Sequence, residues 1–323
     1  MRLVTILITV VGVAISTATI FHEGAQRILW ILGLAGWPIL LLAPLHVAAI
    51  GLDAEGWRQL LSGYSKRPNL AFLTWAAVIR ESIDALLPVA RVGGGVAGMD
   101  LLCAKGLALP VSAASVVAEL TITLIAQALF TLIGAALLSV GDAPVPWIAR
   151  IVVGSMALSV PFVAAVIALQ RRARIFRWLG RTVHYLFSLR LAAAEKVARI
   201  DAELAMVFRR YRILTVSCLW QLAGLVLTAA EVWLGLALMG HPVTPGDAVI
   251  IESFGQALRS IAFIVPAALG VQELGLIAFG SLAGLPPDVS LALSFAKRLR
   301  DVTVGIPALL SWLWFQARHL RHQ

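Results

Sequence analysis

The chain has 323 residues, 60% of them hydrophobic and only 13% charged, with a formal net charge of +9. That balance leaves too little polar surface for a water-soluble domain and makes lipid the expected solvent. The positive excess is concentrated in one segment interleaved with aromatic residues, which argues against a nucleic-acid face and for a membrane surface.

Crossing the hydrocarbon layer as a helix takes roughly 20 apolar residues. The first such stretch is Leu3 to Phe21, and no small-residue cleavage site precedes His22 and Glu23, so a retained signal anchor is expected. The second is Ile28 to Leu52. Next comes 69–105, apolar enough to enter a membrane but carrying Arg80, Glu81, Asp84, Arg91 and Asp100 and interrupted by Pro88 and the run Val92 to Gly98. Proline removes a helix hydrogen bond and glycine favours irregular backbone, so a re-entrant helical hairpin broken around Pro88, Gly93 and Gly95 is expected.

Leu120 to Gly141 and Ile151 to Gln170 are uncharged and supply spans three and four. Between Arg171 and Arg212 eleven Lys or Arg face Glu195, Asp201 and Glu203. Trp178, Tyr185, Phe187, Val197, Leu204 and Phe208 alternate with these charges. Helices lying on the inner leaflet are expected, apolar face in acyl chains and basic face on anionic phospholipid. Ile213 to Gly240, with Glu231 its one charge, is span five. A second broken stretch, 249–284, has Glu252 and Arg259 before the break at Pro266 to Gly270 and Glu273 after it. Span six, Val289 to Ala317, is interrupted by Lys297, Arg298, Arg300 and Asp301.

With a cytoplasmic N-terminus the inside connections collect seventeen Lys or Arg, so both termini are expected in the cytoplasm. Displacing the chain by 178 residues matches Ser82, Ile83, Pro88, Ala90, Gly106, Leu107, Val111, Ser112, Ala114 and Ala118 to identical residues. Three full spans separate the copies, so hairpins that return to their own side open from opposite faces. The fold class expected is therefore an all-α polytopic membrane bundle of about six spanning helices plus two re-entrant helical hairpins, forming an inverted repeat. Its parts are 1–52, repeat one over 69–170, the basic segment 171–212 and repeat two over 213–323.

An ionisable group at bilayer depth costs about 2.5 to 3.5 kcal/mol on insertion scales, so the intramembrane charges need a reason. Arg80 with Asp84 and Lys297 with Asp301 stand one turn apart, and Arg298 with Asp301 three residues apart, which permits local ion pairs. Arg91, Glu119, Glu231, Arg259, Glu273 and Arg300 have no near-sequence partner. All of these are candidates for a headgroup cleft in which Arg and Lys hold an anion. The alternative is a set of buried pairs that only fix packing. His46 is expected as a hydrogen-bonded core residue.

Catalytic signatures are missing. Gly93, Gly95 and Gly98 satisfy a dinucleotide spacing without the strand and βαβ unit it requires, and there is no G-x-S-x-G, H-E-x-x-H or P-loop. Cys103 and Cys218 have neither pair spacing nor His neighbours. No metal, cofactor or catalytic residue is expected.

The run FIVPAALGVQELGLIAFGSLAGLPP followed by ALSFAKRLRD resembles the flippase-like transmembrane family named after lysylphosphatidylglycerol synthase. Its recurring positions fall on Pro266, Gly270, Glu273, Gly284 and Arg298, and those of its first hairpin on Pro88, Arg91, Gly93 and Glu119. Two positions depart from the pattern: Glu119-Leu120 stands for an acidic-then-Arg pair, and Pro266-Ala267 for Pro-Gly. VQEL and AKRLRD look closest to a hopanoid-biosynthesis-associated branch of the bacterial inner membrane. The resemblance implies the translocating part without the aminoacyl-transferase domain of the large members.

The function expected is lipid flipping or transport, with hopanoid or another polar lipid as cargo and lipid-synthesis enzymes as possible partners. The rivals are a membrane enzyme using Glu119 or Glu273 as acid or base, and a non-catalytic accessory to lipid synthesis.

Overall fold

The computed structural model describes residues 25–86, 93–140, 191–261 and 270–320, and among these described residues there are ten α-helices. Spans one and four, Pro88, Arg91, Pro266 and the stretch 171–190 fall outside the described residues.

Helix α1 (Ala25–Ala35) ends at Gly36, whose φ of 57° lets the chain turn before a short 3-10 segment, Trp37–Leu41. Helix α2 (Leu42–Leu60) continues directly. The expected span 28–52 is thus divided at Gly36 and Pro38, and its second part runs on to Leu60. Leu42, His46, Ala49, Ile50, Ala54, Trp57 and Leu60 are buried at helical spacing, so one stripe of α2 faces protein.

Helices α3 (Leu70–Leu86) and α4 (Gly93–Ala104) form the first broken pair. The glycine run is not the break, because Gly93 is the first residue of α4 and Gly94, Gly95 and Gly98 lie within it. Their smallness permits close packing instead. A Cβ on Gly94 would sit 2.5 Å from the Arg80 carbonyl oxygen, and one on Gly98 2.5 Å from Arg80 Cδ. Helix α4 ends at Gly106, φ 86°, where Leu107 N–H donates to Leu102 O at 3.2 Å in a glycine-terminated cap. Helix α5 (Leu109–Val140) follows, long enough at about 1.5 Å per residue to cross a bilayer with length to spare.

Helix α6 (Leu191–Arg209) leads into α7 (Tyr211–Leu238). Leu204, Val207 and Phe208 of α6 are buried in a protein core with Trp57, Leu60 and Leu61. The expectation that Leu204 and Phe208 lie in acyl chains is corrected by that packing. Helices α8 (Pro245–Ile261) and α9 (Val271–Leu282) form the second broken pair, and α10 (Pro287–Leu320) closes the chain with Pro307 inside it. Gly284, φ 73°, ends α9 with Leu285 N–H donating to Gly280 O at 3.0 Å, as at Gly106.

The 178-residue displacement carries Gly93 and Ala104 onto Val271 and Leu282, so α4 and α9 coincide end to end. It carries the start of α5 onto that of α10, and α2 onto the last nineteen residues of α7. Packing follows the same rule. α2 lies against α7, while the long helix of each half lies against the first hairpin helix of the other, α5 on α8 and α10 on α3. α2 and α7 run antiparallel: positions 56 and 217, 46 and 231, and 42 and 235 meet in turn. The two crossed contacts are equivalent in detail. Gly305 abuts Ser82 and Leu86, and at the matching positions Gln127 accepts a 2.6 Å hydrogen bond from Ser260 Oγ.

Among the described residues three segments, Trp37–Leu60, Leu109–Val140 and Tyr211–Leu238, are long and apolar enough to cross a membrane. Leu124, Ile133, Val226, Trp233, Leu310 and Trp314 are exposed on their outer faces and on α10, as lipid contact requires. Among the described residues there is no strand. The protein is a helical, multi-pass membrane bundle.

Candidate functional site

Four groups of charged side chains lie between the helices. The expected one-turn partnerships are largely replaced by contacts between elements, because each helix turns its charges towards a neighbour rather than along its own surface.

The first group is built on α3. Arg80 donates to Glu119 Oε2 of α5 at 2.7 Å, with its guanidinium 4.6 Å from the Trp57 ring centroid. Trp57 in turn donates to Ser115 Oγ at 3.3 Å. Asp84 accepts the Gly94 N–H at 3.0 Å and so anchors the start of α4.

The second group joins α8 to α10. Lys297 donates to Glu252 Oε2, Gln256 donates to Glu252 Oε1 at 2.9 Å, and Arg259 approaches the same carboxylate at 3.8 Å. Glu252, Arg259 and Lys297, with Gly255, Gln272 and Gly275, line a small cleft between α8, α9 and α10. The expected Lys297–Asp301 pair gives way to the Lys297–Glu252 contact.

In the third group Arg298 donates twice to Glu273 Oε1, at 2.9 and 2.6 Å. Glu273 Oε2 accepts the Gly270 N–H at 2.8 Å, so the same carboxylate caps α9 at a glycine whose φ is 79°. Glu273 is 3% exposed. Arg298 therefore partners Glu273 rather than Asp301.

The fourth group lies where α2, α3, α7 and α10 meet. His46 Nε2 is 3.2 Å from Glu81 Oε1, and its Nδ1 is 3.4 Å from Glu231 Oε2 without hydrogen-bond geometry. Arg300 donates to Glu231 Oε1 and at 2.6 Å to Asp301 Oδ1. Asp53, the residue that matches Glu231 under the 178 displacement, is close by, with Oδ1 buried and unpartnered among the described residues.

The sequence-derived candidates are thus distributed. Arg80, Asp84 and Glu119 cluster in the first half. Arg259, Glu273, Lys297 and Arg298 cluster in the second, and Asp301 joins the central group. Sequence reasoning left His46, Asp53, Glu81 and Glu252 out of the site, since His46 and Glu81, like Glu252 and Lys297, are far apart in the chain. One signal was available: extending the displacement upstream sets Asp53 on Glu231 and Glu81 on Arg259.

Beyond the membrane segments, Tyr64 donates its O–H to Glu203 Oε2 at 2.5 Å. Burial, then the Glu203 hydrogen bond and charge, push its phenol up to about 12. Nearby, burial and the Arg58 charge lower the Arg67 guanidinium. The Tyr64 bond ties the segment after α2 to α6, while Arg67 Nε donates to Arg58 O at 3.0 Å.

Among the described residues no group of His, Cys, Asp or Glu is placed to hold a metal ion. A family model described as the lysylphosphatidylglycerol synthase TM region matches residues 3–308. Neither the curated proteins nor the solved structures contain a match. The chain belongs to the lysylphosphatidylglycerol synthase transmembrane-region family, and it is a multi-pass membrane protein related to lipid synthesis or flipping.

Proposed function

From that family membership as premise, we propose that the protein moves a polar lipid between the leaflets of the bacterial inner membrane, its two halves acting as inverted copies. The observation that carries this reading is the reciprocal packing of the halves. α2 and α7 match under one displacement and run antiparallel, and both crossed contacts recur at matching positions. Equivalent helices that are antiparallel and cross a membrane are related by an axis in its plane, the arrangement from which transporters derive alternating access.

The cleft of Glu252, Arg259 and Lys297 supports a headgroup path, because Arg and Lys there can take an anion while the carboxylate orients them. Both carboxylates once considered for acid or base chemistry are already engaged: Glu119 is bonded to Arg80, and Glu273 to Gly270 and Arg298. That favours transport over catalysis. Hopanoid is the first candidate cargo, on the resemblance carried by VQEL and AKRLRD. The count of basic residues supports a cytoplasmic side for both termini, and the basic content of the sequence from Arg171 to Arg212 supports attraction to an anionic inner leaflet. Exposed Arg209, Arg210 and Arg212 continue that basic surface to the start of α7.

Leaflet-resolved lipid labelling of a deletion strain tests the reading. The expected result is accumulation of one polar lipid in a single leaflet at unchanged total amount. A loss of one lipid species from both leaflets would instead mean synthesis.

A further inference from the structure

We propose that His46, between Glu81 and Glu231, is a proton-binding site that couples lipid movement to a proton gradient, an inference resting on the translocation reading. The two ring nitrogens of His46 each face a carboxylate oxygen, at 3.2 and 3.4 Å. A neutral imidazole has one N–H, so it can satisfy one carboxylate and must turn a lone pair towards the other. Only the doubly protonated ring presents an N–H to both.

The charges around the ring point the same way. Asp53 on the same helix, Glu81 on α3, Glu231 on α7 and Asp301 on α10 are acidic, and Arg300 is the cation bonded within the group. Of the neighbouring cations, Arg80 is committed to Glu119, while Lys297 and Arg259 share Glu252. With a neutral ring the group carries a surplus of buried negative charge, which a low-dielectric site relieves by taking up a proton. Asp53 Oδ1, Glu231 Oε2 and His46 Nδ1 are all buried without a hydrogen-bond partner among the described residues, in a place where such atoms call for an explanation.

Position makes the site able to couple. His46, Asp53 and Glu81 belong to the first half, while Glu231, Arg300 and Asp301 belong to the second. They meet at the α2–α7 contact, about which the halves are matched. Movement of one half against the other separates the ring from Glu231 and lowers its hold on the proton. His46 and Glu231 are buried, whereas the Glu81 side chain is 45% exposed and offers the proton a way in or out. Relays of His and carboxylates inside a bundle serve this purpose in pumps and transporters. A static ion-pair network would need no such surplus of acid.

The test uses the full chain in vesicles of phosphatidylethanolamine and phosphatidylglycerol with a trace of NBD-labelled phosphatidylglycerol. Lipid movement is followed by dithionite bleaching, with and without an imposed pH gradient, and the readout is the ratio of the two rates. A several-fold ratio that a protonophore abolishes is expected, and His46→Gln should bring it to one. Glu81→Gln, at an exposed side chain, provides the same test should His46→Gln not fold, and should also reduce the ratio. A wild-type ratio of one with lipid still moving overturns the coupling and leaves translocation standing. So does a wild-type ratio in both variants, or a response to a sodium gradient in place of protons. An absence of lipid movement in the wild type overturns the translocation reading and the coupling with it.

Discussion

Adjacent glycines in α4 should respond to the same substitution with opposite signs. Alanine exceeds glycine in helix propensity by about 1 kcal/mol, so Gly→Ala within a helix stabilises where space allows. At Gly95 the added Cβ would meet Val116 Cγ1 at 3.7 Å, an ordinary contact, and Gly95→Ala should stabilise by roughly 0.5 to 1 kcal/mol. At Gly94 the Cβ would fall 2.5 Å from the Arg80 carbonyl oxygen and 2.7 Å from Asp84 Oδ2. The first is backbone within α3 and cannot rotate away, so α4 must move outwards. Overpacking of that kind costs about 1 to 3 kcal/mol, and the displacement also lengthens the Gly94 to Asp84 hydrogen bond. The propensity gain offsets only part, leaving Gly94→Ala destabilised on the order of 1 to 2 kcal/mol. Scanning fluorimetry of the detergent-purified protein should show a lower apparent Tm for Gly94→Ala and an unchanged or higher one for Gly95→Ala. Equal shifts for both would refute the account in which α4 is a helix packed tightly through Gly94 on α3.

Three other outcomes follow from the geometry. Arg298→Gln leaves Glu273, 3% exposed, without its guanidinium and should destabilise by about 2 to 3 kcal/mol, less than for a wholly buried pair because the Arg298 side chain is 25% exposed. A thermal melt matching wild type would refute this. Because the folded state holds the Tyr64 phenol at about 12 against an ordinary value of about 10, its contribution to stability is complete below pH 10 and is lost as pH rises from there through 12. Tyrosinate absorbance should show one late-titrating group that Glu203→Gln moves earlier; no change in that variant would sink the assignment. Finally, cysteines placed at Lys105 and Ser281, exposed at the matching ends of α4 and α9, should label from opposite faces of sealed vesicles once Cys103 and Cys218 are replaced. Labelling from one face would contradict the inverted arrangement.

Much of the architecture was legible because lipid simplifies the problem: uncharged runs of sufficient length must be helices, and Leu109–Val140 and Tyr211–Leu238 bear this out. Gly106 and Gly284 entered the sequence reading only as matched positions, and the structure shows what they share, a left-handed residue ending α4 and α9, which favours glycine. Gly93 and Gly95 were misread because a glycine cluster has two meanings, irregular backbone or close approach, and only the position of Arg80 on the facing helix decides between them. The division of α1 from α2 was marked by Gly36 and Pro38 within an otherwise continuous apolar run, where hydrophobicity outweighed the turn signal. In the candidate site, the charges were visible but their partners were not. Lys297 finds Glu252, Arg300 finds Glu231 and Arg298 finds Glu273, each across a helix interface that one-turn spacing does not describe. His46 looked like an isolated core residue for the same reason, its two carboxylates lying on α3 and α7.

The most direct measurement of the central claim is lipid translocation by the purified full chain in proteoliposomes, followed as dithionite bleaching of NBD-labelled lipid distributed over both leaflets. The account predicts bleaching beyond the outer-leaflet fraction, at a rate proportional to the protein incorporated and reduced several-fold when Lys297 and Arg259 are both replaced by Gln. Bleaching that stops at the outer-leaflet fraction across polar lipid probes, with the protein folded and correctly inserted, would contradict it.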